Sequence, residues 1–173
     1  MKYVMKTGVL FRGERLFARL RGALGTPEKR IYRGDGTLAL RVGIRSPASP
    51  QEAADVRRKQ YVIWDSGGAE CAVASPGYAP GEAPEQAGWP VCRLPRVDHA
   101  QLTYRGGAYC LTMRSSQCYC LTGPSGQTVV EILHRGLAGG WDIEAEPDLP
   151  PELVCGIFVL CKYLEQENEF PVV

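Results

Sequence analysis

Two histidines in 173 residues leave little ordinary material for acid–base work near neutral pH. No Gly-x-Ser-x-Gly elbow, phosphate loop, His-Glu-x-x-His helix or dinucleotide glycine fingerprint occurs. The cysteines never form a C-x2–4-C knuckle, so a structural zinc site is not expected, nor is any other cofactor. No apolar run approaches the roughly 18–20 residues that a membrane-spanning helix needs. Net charge of one sign is absent as well: the total is +1. That balance, with no aromatics interleaved among the basic residues, does not fit a nucleic-acid groove.

What is present is ordinary globular composition, 45% hydrophobic and 23% charged, enough for one domain with its own core over residues 1–173. The seven cysteines are odd in number and sit mostly in apolar contexts. Lys2 and Lys6 are followed by too short an apolar segment for a secretory signal. Together these imply free thiols and a cytoplasmic protein.

Charge is unevenly spread. Residues 1–60 hold 14 Lys/Arg against 5 Asp/Glu, and residues 61–173 hold 6 against 14. Such a split means either a basic binding face or two halves that neutralise each other within one sheet.

The organising stretch runs from Asp148 to about residue 167. Asp148 is placed to cap a helix, Pro150 and Pro151 suit its first turn, and Glu152 complements its dipole. From Leu153 to Cys161 every residue is apolar or glycine. A helix with no polar face needs protein on all sides. Upstream, short segments alternate with turn signals: Tyr3–Met5, Val9–Phe11, Arg15–Arg21, a hairpin of 29–33 with 37–45, and Tyr61–Trp64 with Ala69–Ala74. In the second arm of the 29–45 hairpin, Leu38, Leu40, Val42 and Ile44 are the expected inward set. Residues 46–59 form a polar loop ending in one helical turn, and the Pro- and Gly-rich stretch 76–90 is expected to be a loop. Strand signals resume at Trp89–Leu94, Gln101–Tyr104, Ala108–Met113, Gln117–Leu121, Val129–Leu133 and Gly140–Ala145. About ten to twelve strands with one apolar helix predict a mainly β protein, a closed antiparallel barrel enclosing its C-terminal helix.

That pattern, with Trp141-Asp-Ile-Glu144 before the helix of Leu153–Leu164, resembles the tubby C-terminal-like superfamily, nearest the small LURP-one-related and scramblase-like proteins. The resemblance implies a barrel of roughly twelve strands around a hydrophobic C-terminal helix. It also admits a non-enzymatic module that binds phospholipid.

The candidate ligand residues are Arg15, Arg19 and Arg21, expected on one strand face, with Lys29, Arg30 and Arg33 close in sequence. Guanidiniums grouped on a β face grip phosphate bidentately, as at an anionic membrane surface. The competing expectation pairs this ladder with Asp142, Glu144 and Glu146. In that case the protein is a scaffold that binds another protein. Catalysis would need a cleft joining His99, beside Asp98, to a cysteine. Cys118 and Cys120 share a face opposite Tyr119 and are expected as small core residues.

Overall fold

The computed structural model describes residues 1–22, 27–49, 52, 54–83 and 95–169. Its first six strands are β1 (Lys2–Lys6), β2 (Val9–Arg12), β3 (Arg15–Arg21), β4 (Lys29–Arg33), β5 (Leu38–Arg45) and β6 (Gln60–Asp65). The rest are β7 (Glu70–Tyr78), β8 (Val97–Tyr104), β9 (Gly107–Ser115), β10 (Cys118–Thr122), β11 (Thr128–His134) and β12 (Trp141–Ala145). Each strand pairs antiparallel with the next, and β12 returns to β1 with Tyr3 opposite Ile143. The barrel is therefore closed, with every strand flanked by a neighbour on each side. A single 3-10 turn at Val56–Arg58 ends the polar 46–59 loop, as its sequence implies.

The helix α1 (Pro151–Gln166) runs through the barrel. Its residues from Leu153 to Cys161 are all buried. Its contacts reach strands around the circumference. Gly156 faces Ile63 of β6 and Ile31 of β4, and the Phe158 ring lies 5.5 Å from Trp141 of β12. The Tyr163 hydroxyl donates to the Val42 carbonyl of β5 at 3.1 Å. An all-apolar helix thus loses its surface to side chains rather than water. No helix among the described residues is long and apolar enough to cross a membrane.

The two helix ends differ. Asp148 does not cap the start: Pro150 is the N-cap residue and no side chain caps the first turn. Pro151 at the first position removes one of the four amides that have no partner within the helix. At the other end Asn168 accepts from the Val97 amide and donates to its carbonyl, both at 2.9 Å. Lys59 pairs with Glu167 at 2.6 Å, with both side chains mostly buried. The C-terminal mouth is therefore latched by polar contacts.

Two local expectations need correction. The loop expected from residue 76 starts later, because β7 continues to Tyr78 with a buried Pro76 opposite Ala100. The last β6 partner on that strand is Ala74, so the proline sits where only β8 pairs and its missing N–H breaks no ladder bond on the β6 side. Cys118 and Cys120 do share a face opposite Tyr119, but Tyr119 takes the inside, fully buried. The cysteines point outward, Cys120 being covered there by Thr122 and Thr128. The Tyr119 hydroxyl reaches the Ser116 carbonyl at 3.1 Å, which lets a tyrosine fill the core without an unmet polar group. The strand expected at Trp89–Leu94 lies outside the described residues.

Burial pushes the Cys155 thiol up to about 12 and raises Cys161 as well. Both thiols should therefore stay unmodified by iodoacetamide in native protein and react only after unfolding, while half-exposed Cys110 and Cys118 react first. Peptide mapping by mass spectrometry checks this. Alkylation of native Cys155 at the rate of Cys110 would mean the helix is not enclosed.

Candidate binding face

The six basic residues singled out from the sequence do not share one face. A bulge in β3 decides this. Val9 pairs with Arg19, Leu10 with Ala18 and Phe11 with Leu16, so Phe17 is the extra residue. Alternation is interrupted there, and Phe17 packs against Tyr3 (ring centroids 5.8 Å apart) at the core rather than pointing outward with the arginines. Arg15, beyond the bulge, pairs with Arg12 and is led over the Phe17 ring at 4.9 Å. It belongs to the barrel mouth at the helix N-terminal end. Arg33 joins that mouth too, opposite the inward-facing Ala18 and ion-paired with Glu152 at 3.1 Å. Lys29, opposite the buried Val42, lies across Gly22 at the other end.

Arg19, Arg21 and Arg30 remain together on the outer wall. Register adds a fourth member. Arg21 pairs with Arg30, Arg30 with Arg41 and Arg41 with Trp64, a straight row over β3, β4, β5 and β6. Neighbouring strands lie about 4.8 Å apart, so three guanidinium-bearing positions fall within roughly 10 Å. Like charges directly opposite each other are ordinarily destabilising.

Aromatic rings hold the row in place. Arg21 lies over Tyr32 at 5.6 Å and Arg41 over Trp64 at 5.8 Å. The Trp64 indole packs over Gly43, its diagonal neighbour on β5, where even a Cβ would come within 3.1 Å of the ring. Among the described residues Arg19, Arg21 and Arg41 form no ion pair, and Arg30 meets only the half-exposed Glu28 at 3.5 Å. A hollow of about 230 Å³ opens beside the row, lined by Arg19, Arg21, Tyr32 and the Gly34–Gly36 turn. The Asp35 carboxylate in that turn is occupied by the Thr37 amide and hydroxyl at 2.8 and 2.7 Å, which hold its pKa below the usual range.

The acidic ladder does not reach this row. β12 lies between β11 and β1, with β1 and β2 separating it from β3. Glu144 pairs instead with Lys2 at 2.8 Å and Asp142 with Arg135 at 3.3 Å. On the far wall the His99 ring sits beside Asp98 at 2.8 Å and over Gly77, with Thr112 as its cross-strand neighbour. Among the described residues no three His, Cys, Asp or Glu side chains are grouped closely enough to hold a metal ion.

Sequence reading placed Arg19, Arg21 and Arg30 but omitted Arg41 and Trp64. The signal was available, since Arg41 alternates with Leu40 and Val42 and the turn at Gly34–Gly36 sets it opposite Arg30. The same hairpin carries a second bulge that turns Ala39 inward, buried, and puts Leu38 beside Tyr32 on the outer side. No family model, curated protein or solved structure matches the chain.

Proposed function

We propose that the protein is a non-enzymatic binding module of the tubby-like kind, cytoplasmic and peripheral to the membrane. Its outer row Arg21–Arg30–Arg41, with Arg19, takes an anionic phosphate ligand, most simply a phospholipid headgroup. The observation that carries this reading is the cross-strand stacking of like charge in which, among the described residues, only Arg30 meets a carboxylate, the half-exposed Glu28. A protein that aligns three arginines on adjacent strands keeps a repulsion that an incoming polyanion relieves. Guanidiniums pre-oriented over Tyr32 and Trp64 lose less freedom on meeting a phosphate than free side chains would. The barrel architecture is the one that the resemblance to the tubby-like superfamily implies, and membership is part of the proposal.

Co-sedimentation with phosphatidylserine-containing and neutral vesicles, at low and high salt, tests it. Binding to the anionic vesicles is expected at low salt and should weaken as salt rises. Each arginine near the surface contributes about 1 kcal/mol, so replacing Arg21, Arg30 and Arg41 by serine should cost on the order of 100-fold in affinity. Arg15→Ser should bind as the parent does, and the triple variant should melt no lower than the parent. Absence of low-salt binding, or an equal loss from Arg15→Ser, would sink the headgroup reading.

A second reading has its own observation. Val4, Phe11 and the exposed Leu133 line a hollow of about 460 Å³ on the wall of β1, β2, β11 and β12, rimmed by Lys2, Glu131, Asp142 and Glu144. Lys2 and Arg135 already answer Glu144 and Asp142, so Glu131, with no ion pair among the described residues, is the carboxylate that this apolar strip offers to a basic, apolar protein segment.

A further inference from the structure

The mouth at the N-terminal end of α1 opens into a cavity of about 670 Å³. That volume lies within the range of small-molecule sites. Its walls are largely apolar, from Ala39 and Leu40 of β5, Ala72 and Val73 of β7, and Leu153 at the start of the helix. Four charged side chains also line it, and three are already matched. Glu152 is held by Arg33 at 3.1 Å, and Glu70 pairs with Arg45. Arg105 is the remaining one, with no ion-pair partner among the described residues, and its guanidinium is held over Tyr104 at 5.2 Å.

Arg105 also sits where arginine is a poor choice. With φ of 48°, followed by Gly106 at 75°, it occupies the left-handed first position of the β8–β9 turn. Asparagine, aspartate or glycine fits that position better. A local cost accepted at a cavity rim points towards a use for the side chain.

We propose that this cavity is a second ligand site, taking an amphiphile with a single apolar chain and one anionic head, the chain lying against Leu40, Ala72 and Leu153 and the head meeting Arg105. This site is separate from the outer arginine row and stands or falls without it. Cys71 lines the same cavity, half-buried, so its thiol reports occupancy directly.

The test follows iodoacetamide labelling of Cys71 by peptide mapping, with decanoate, decyl phosphate, decanol or acetate present. Decanoate or decyl phosphate should slow Cys71 labelling without changing Cys110 or Cys118. Whichever protects at lower concentration identifies the head as carboxylate or phosphate. Decanol should protect about tenfold less well, and acetate not at all, because chain and charge both contribute. Arg105→Asn suits the turn better than the native residue, so it should melt no lower than the parent yet lose the preference for decanoate over decanol. Arg105→Lys should keep much of it. Replacing Arg21, Arg30 and Arg41 by serine should leave Cys71 protection unchanged, which separates this site from the vesicle-binding one. Equal protection by decanoate in the parent and in Arg105→Asn would overturn the assignment, as would no protection by either anionic amphiphile.

Discussion

Gly156→Leu should lower stability by about 1–3 kcal/mol or more, the cost of overpacking a filled core. Two effects oppose each other at this position. Glycine in a helix interior is about 1 kcal/mol worse than alanine, so any side chain gains something locally. Space decides against it: a Cβ at Gly156 already stands 3.0 Å from the Ile63 Cδ1 and 3.7 Å from the Ile31 Cδ1. Both isoleucines are fully buried in the barrel wall, and their strands are hydrogen-bonded on both sides. A leucine has three further carbons to place, and neither wall nor helix can yield without breaking ladder bonds. For a domain of this size each kcal/mol moves the melting temperature by about 2–4 °C, so calorimetry should show a drop of roughly 3–10 °C. Gly156→Ala should change little, since its helical gain and its single tight contact nearly cancel. An unshifted Gly156→Leu transition would mean that the helix lies against the barrel from outside.

Phe158→Ala should cost about 3–5 kcal/mol. The Phe158 ring meets the edge of Trp141 at 5.5 Å and 67°, and Trp141 also contacts Tyr119 (5.8 Å) and His134 (4.9 Å). Lys162 Nζ lies 4.3 Å from the centre of the same indole. Removing the phenyl ring leaves a hole between a helix held at its C-terminal end and a closed wall, so collapse onto the void is limited. Urea unfolding should show a lower midpoint with an unchanged slope, the signature of lost stability without a change in compactness. A loss below about 1 kcal/mol would mean that the ring is not packed between helix and wall.

Much of the architecture was readable because it rests on local rules. The strand signal in Arg15–Arg21, turn residues at Gly34–Gly36 and Gly106–Gly107, and an apolar run too short for a membrane each point the same way. The binding face was readable only in part. Arg19, Arg21 and Arg30 sit where period-two counting puts them, because no bulge intervenes between them. Arg15 does not, because the extra residue at Phe17 resets the alternation, and bulges leave no mark in the composition of a strand. Lys29 and Arg33 are close to Arg30 in sequence, yet both alternate with it and fall on the pleat of the buried Ile31. Nearness along a strand is not nearness on a face: Lys29 ends at one mouth of the wall and Arg33 at the other.

The amino-acid sequence by itself determined the element types, because hydrophobic period and length act within one segment at a time. The closed barrel with its enclosed helix followed from many strand edges to pair and a helix with no polar face. Only the tertiary structure decided which charges meet. The basic half is neutralised in part, since Lys2, Arg33, Arg45 and Lys59 meet Glu144, Glu152, Glu70 and Glu167 of the later half, whereas β1 and β2 intervene between the arginines of β3 and the carboxylates of β12. The cavity beside Arg105 likewise has walls from β5, β7, the β8–β9 turn and the start of the helix, segments far apart in the chain. No local pattern records such a meeting, because the free energy that creates it belongs to the closure of the barrel as a whole.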